Sequence, residues 1–272
     1  MRGKTTTHWP DRSLRHCRRG LARGSPDIPF LVHLVELFLA GLIAGALDTV
    51  VGFGGALLLL PILILLVGSI EAVLLSPVVS LAWSVPRLIL TRQWIRWRDV
   101  VLFSIGIIPA IIAGTILLGA IDPHFLRTGI GAMLVLFGAY YVLRLYVDIP
   151  QPKKLPGMTF PIVGFISGFV GTVLGAGHGP INGGALMAAG LPVRDGAATN
   201  GAIGGATALF RAISFSAKGF YTEDLLVPAL ITAAGACCGA ILGVRLSRQS
   251  KDSTLELVIG IVMMLAGVKM AL

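Results

Sequence analysis

The stretch DTVVGFGGALLLLP, Asp48 to Pro61, decides how this chain is read. It lies inside a long apolar run, yet it carries glycines at 52, 54 and 55, a carboxylate shortly before them and a proline at its end. A glycine in a helix interior costs about 1 kcal/mol relative to alanine. A run built only to cross a bilayer has no use for glycines that alternate within one turn, because they point around the helix rather than along one face. The pattern predicts that the backbone leaves helical geometry here. At membrane depth such backbone persists only where it is buried in protein or lines a cavity. The second half of an interrupted helix then begins with free N–H groups and a positive partial charge, which suits an anion.

Composition supplies the setting. Of 272 residues, 55% are hydrophobic and 13% charged, against roughly 25% charged in a soluble domain. Apolar runs close to the ~20 residues that span the hydrocarbon core recur along the chain. They fall at approximately 31–67, 70–91, 99–120 and 124–146, and then at 158–191, 193–216, 224–245 and 253–271. The expectation is an all-α integral membrane protein with about eight transmembrane segments, of which the first and fifth are broken by glycines.

The net charge of +9 does not read as a nucleic-acid surface, because seven of the 22 Lys and Arg residues precede Pro29 and most others sit in short loops. That is the positive-inside pattern of a multi-pass protein with a cytoplasmic N-terminus. Residues 1–30 are basic and lack the apolar stretch of a cleaved signal, so they are expected to form a disordered cytoplasmic leader. Cys17, Cys237 and Cys238 show no metal-ligand spacing, and no nucleotide motif is present, so neither metal, cofactor nor catalytic residue is expected. Assembly into a homo-oligomer is left open.

The broken segment occurs twice. GLIAGALDTVVGFGG (41–55) aligns with GFISGFVGTVLGAGH (164–178) at an offset of 123, with seven of fifteen positions identical. Each is followed by a segment with a late arginine, Arg87 and Arg211, and Gly114 is matched with Gly239. The chain therefore divides into a first membrane repeat (31–146), a charged proline-rich linker (147–157) and a second repeat (158–272), each opening with a broken helix. Paired interruptions at equivalent places are the best sequence pointer to a transporter site. The loop RLSRQSKDS (245–253) would then lie outside, against the charge rule, which leaves room for one broken segment to be re-entrant.

These duplicated glycine motifs, the proline closing GGALLLLP and the continuation GGALMAAGLPVRDGAATN resemble the TauE/SafE sulfite exporter-like membrane proteins over approximately residues 31–272. The resemblance implies a bacterial inner-membrane protein that moves a small anion such as sulfite or an organosulfonate, usually outward. It carries a pore-lining role onto Gly52, Gly54 and Gly55 and onto Gly175, Gly177 and Gly179. The sequence departs from the family at His178, where glycine is common, and at PINGG (180–184), where an apolar run is usual.

The remaining polar residues each carry two readings. Asp48 is a coupling or gating acid, or a cap for the helix that follows; a carboxylate at bilayer depth costs ~2.5–3.5 kcal/mol and needs a partner either way. His178 is a donor to an oxyanion or a structural histidine. Asn182 and Asn200 offer neutral donors, with Thr199 beside the latter on a glycine-rich helix expected to face the pathway. Arg87 and Arg211, late in their runs, are expected to snorkel to the interface. Glycines one turn apart, Gly41 with Gly45 and Gly164 with Gly168, are expected to serve close helix packing. Two competing functions remain: an intramembrane enzyme with Asp48 and His178 as acid and base, and a non-transporting accessory subunit.

Overall fold

The structure, a computed structural model, describes residues 28–51, 55–146, 155–246 and 253–271. The described residues form ten α-helices and no strand: α1 (Ile28–Val51), α2 (Gly55–Val67), α3 (Ser69–Thr91), α4 (Trp97–Leu118), α5 (Pro123–Tyr146), α6 (Phe160–Leu174), α7 (His178–Ala188), α8 (Val193–Ala217), α9 (Glu223–Leu246) and α10 (Ser253–Ala271). Most of the leader, linker residues 147–154 and loop residues 247–252 lie outside the described residues, as do Gly52 and Gly54.

Among the described residues, five helical stretches are long and apolar enough to cross a membrane: Val32–Val50, Ser69–Trp94, Trp97–Leu118, Gly157–Leu174 and Leu225–Val244. Their outward faces are apolar too. On α4, Val101, Ile105, Ile108, Ile112 and Ile116 are exposed, while Val100, Phe103, Ile107 and Ile111 on the other side are buried. A helix apolar all round, with half its surface left open, is built for lipid. The protein is a multi-pass membrane protein. Helices α2 and α7, with 13 and 11 residues, reach only about 20 and 16 Å at the α-helical rise, short of the ~30 Å hydrocarbon core. Helix α8 is long enough at 25 residues, but its arginines, Asp195, Asn200 and glycines keep it below the apolarity of the others.

Packing explains where the glycines of the long helices sit. Helix α1 lies along α9, α4 along α6, and α5 along α10, while α3 and α8 pack antiparallel and also touch α9 and α4. A Cβ on Gly41 would run into the Thr232 carbonyl oxygen, and one on Gly45 into that of Ala236; reciprocally, Gly235 and Gly239 face the carbonyls of Phe38 and Leu42. The α4–α6 seam repeats this, with Gly106 against Pro161 O and Gly164 against Phe103 O, and a Cβ on Gly168 would meet Ile107 Cα at 3.1 Å. Without side chains between them the backbones approach closely, the arrangement small residues permit in lipid. The packing expected of these four glycines is what they do.

One sequence correspondence shifts by a turn. Gly114 faces Thr172 and Phe169, whereas the glycine facing the aligned pair, Thr49 and Ala46, is Gly243. Gly114 therefore matches Gly243 in space rather than Gly239, which contacts Leu42. The small-residue spacing of ACCGAILG fits either register, so the sequence alone chose the wrong one.

Inside this frame most of α2 is buried, with Leu65 exposed. Leu57, Leu59, Leu60 and Leu63 are all but inaccessible and join Leu37, Leu75, Val79 and Leu134 in one apolar core. A second core gathers Phe103, Ile107, Leu186 and Ile203, with the Phe103 and Phe160 rings stacked at 4.7 Å. The polar residues collect between the two.

Candidate functional site

The second break is fully described. Helix α6 ends at Leu174 with Gly175 in the left-handed region (φ 81°), and Gly177 (φ 97°) precedes the first residue of α7. Only glycine adopts such angles without strain, so these two positions are where the chain leaves one helix and starts the next. No side chain caps the start of α7. At the first break α2 begins at Gly55, whose N–H donates to Asp48 Oδ1 at 3.0 Å. A Cβ on Gly55 would collide with the Asp48 side chain, so glycine is required there for the carboxylate to approach.

The other Asp48 oxygen, Oδ2, accepts from Arg87 Nη1 at 2.9 Å, and Arg87 Nη2 donates to the Ala197 carbonyl of α8 at 2.8 Å. Asp48 and Arg87 are both buried. The pair thus ties the end of α1, the start of α2, the late turns of α3 and the early turns of α8. Arg87 does not snorkel, and neither does Arg211, whose relative exposure is 0%. Arg211 Nη2 donates to Ser76 Oγ at 2.9 Å and Nη1 to Gly175 O at 3.4 Å. Both arginines fall late in their helices in sequence, but α3 and α8 pack antiparallel, so each late turn meets a partner on the early turns of the other helix.

A cavity opens between the two breaks. Of the residues singled out in the sequence, it brings together Asp48, Gly177, His178, Gly179 and Asn200, and adds Arg87, Gly201 and Gly204 with the α3 residues Ser80, Trp83 and Ser84. Gly55, Gly175 and Asn182 do not line it. The α3 residues were missed, although a signal exists: serines at 76, 80 and 84 repeat every fourth position and so share the helix face that ends at Arg87. Thr199 turns away from the pathway, its Oγ1 accepting the N–H of Arg96 at 3.0 Å just before α4. His178 Nδ1, Asn182 Oδ1 and Nδ2, Asn200 Oδ1, Ser80 Oγ and Arg211 Nε are buried without a hydrogen-bond partner among the described residues. Buried polar atoms left in that state are costly, and three of them, on His178, Asn200 and Ser80, belong to residues that line the cavity, which marks it as a place for a polar guest.

The family model for the sulfite exporter TauE/SafE matches residues 37–270. The chain belongs to the TauE/SafE family. No match is found among curated proteins or among solved structures. The match runs from within α1 to the last turn of α10, and both glycine-rich stretches of this TauE/SafE protein fall inside it. Family membership implies a membrane transporter of the sulfite or anion exporter type.

The geometry also bears on acid–base chemistry. Both Asp48 oxygens are engaged, by Gly55 and Arg87, and His178 Nδ1 has no partner, so no hydrogen bond joins the two as an acid–base pair.

Proposed function

We propose that this protein is a secondary exporter of a small anion such as sulfite or an organosulfonate, bound near the membrane midplane where the two interrupted helices meet. The observation that carries the reading is the convergence of the starts of α2 and α7 on one cavity that holds the Asp48–Arg87 pair, the His178 imidazole and the Asn200 amide. Helix starts favour negative charge, and α7 begins at this cavity without a side-chain cap. An interior-negative potential drives an anion outward by ~2.3 kcal/mol per charge per 100 mV, so exit needs no nucleotide. Asp48 acts as the gating residue, since its carboxylate links three helices and one of them is broken beside it.

The same reading takes the chain as two four-segment units, eight segments in all, in a bacterial inner membrane with a cytoplasmic N-terminus. The reciprocal pairing of α1 with α9 and of α6 with α4 supports it, because each opening helix packs on the fourth helix element of the other unit with the same glycine-to-carbonyl contacts.

The test is efflux of radiolabelled sulfite and of short organosulfonates from proteoliposomes at a set potential. Wild type should release at least one of them faster as the interior becomes more negative, and Gly177→Leu should release none. A wild-type protein that passes no anion of the panel would leave the accessory-subunit reading in its place.

A further inference from the structure

The two breaks are chemically unequal. At the first, one carboxylate does two jobs: Asp48 accepts the N–H of Gly55 at the start of α2 and pairs with the buried Arg87. At the second, the residue aligned with Asp48 is Gly171 and the residue aligned with Gly55 is His178. A Cβ on Gly171 would meet His178 Cβ and Nδ1, both at 3.2 Å, so the imidazole fills the space where the first break keeps its acid. The start of α7 is left without a side-chain cap.

Arg211 is left without an acid as well. It is fully buried, its Nη groups reach only Ser76 and the Gly175 carbonyl at the break, and its Nε has no acceptor. Among the described residues no carboxylate lies within ion-pair distance of it. His178 lies within electrostatic range of Arg211, and its Nδ1 is orphaned, as are both polar atoms of Asn182 one turn further along α7. A buried guanidinium with neutral partners only, beside an uncapped helix start and orphaned donors, lacks one component, and the first break shows its chemistry.

We propose that the second break is the anion seat: an oxyanion bridges the start of α7 and Arg211, as the Asp48 carboxylate bridges the start of α2 and Arg87. This rests on the exporter reading and assigns the substrate to one of the two halves. The first break carries its anion as part of the chain, and the second takes it from solution. Charge narrows the class. Asp99, also buried, has Arg96 beside it at 4.0 Å, and Asp48 cancels Arg87, so Arg211 leaves one positive charge over. A singly charged oxyanion, a sulfonate or hydrogensulfite, neutralises it.

The decisive variant installs the first break's chemistry in the second. Gly171→Asp with His178→Gly gives Arg211 and α7 their own carboxylate and removes the clash that Asp alone would make. Methanesulfonate binding to the purified full-length protein, measured by titration calorimetry, should weaken roughly thirtyfold or more in this double variant and in Arg211→Gln. Since either variant could fail to fold, hydrogen exchange on wild type supplies a second measurement. Adding methanesulfonate should slow exchange in peptides covering 175–183 and leave those covering 49–56 unchanged. Wild-type affinity in the double variant, or protection at 49–56 in place of 175–183, overturns the assignment to the second break. A wild-type protein that binds neither methanesulfonate nor sulfite overturns the exporter reading itself.

Discussion

Asp48 and Arg87 are 39 positions apart in the chain and 2.9 Å apart in space, and both are buried. An intact buried pair adds little net stability, because desolvation of two charges offsets their attraction. Removing one partner costs about 3–5 kcal/mol, because the remaining charge stays buried. Asp48→Asn is therefore expected to destabilise the folded protein by that amount even though the amide oxygen can still accept from Gly55. Arg87→Gln should do the same, and the double variant Asp48→Asn/Arg87→Gln should recover most of the loss. Unfolding of the purified protein in mixed micelles with increasing dodecyl sulfate measures all three, and simple additivity would show that the two side chains do not act as a pair. In the sequence the need for a partner was legible, since a carboxylate inside an apolar run demands one. Which partner was not, because Arg87 follows no periodic relation to Asp48 and its place depends on how α3 packs against α8. The same packing hid the burial of Arg211.

Broken and unbroken helices use glycine for different reasons, and substitution separates them. On the unbroken faces the obstacle is another backbone: a Cβ on Gly41 meets Thr232 O, and one on Gly164 meets Phe103 O. Backbone cannot swing aside as a side-chain tip can. Gly41→Leu and Gly164→Leu should each sharply lower the yield of monodisperse protein in fluorescence-detected size exclusion, since overpacking by a methylene or so already costs about 1–3 kcal/mol. Gly184→Leu is the control, because nothing lies within 4 Å of a Cβ there. Gly177 differs again: at φ 97° even alanine is strained, by roughly 1–2 kcal/mol, and its Cβ would also press on Met133 Sδ at 2.9 Å. If Gly41→Leu elutes like Gly184→Leu, the α1–α9 seam is not as close as described. The two roles were legible at this scale for a simple reason. Glycines one turn apart share a face, whereas GFGG and GAGHG cannot. The register of ACCGAILG against its counterpart was not legible, because a helix dense in small residues offers more than one acceptable match.

Across the whole molecule the most extensive seams join the two halves of the sequence rather than neighbours within one half. Helix α1 packs on α9 and α6 on α4, and α5 packs on α10, so each half of the chain supplies helices whose glycine faces are completed only by the other. A first half on its own would present Gly41 and Gly45 of α1 with no opposing backbone, and Asp48 and Arg87 would lose the Ala197 carbonyl that holds the guanidinium on its far side. Close packing is what drives helix association in lipid, where no hydrophobic effect remains between apolar surfaces. Two fragments with faces this specific should therefore find each other. Cutting the chain after Pro150 and co-expressing residues 1–150 and 151–272, each with its own tag, is expected to yield a complex that co-purifies through either tag. Either fragment alone should accumulate poorly or run as an aggregate. Adding Gly41→Leu to the first fragment should abolish co-purification, whereas Gly184→Leu in the second should not, which ties assembly to the α1–α9 seam rather than to general stickiness. A first fragment that is monodisperse by itself would mean that α1 packs within its own half, and the interlocked arrangement would be wrong.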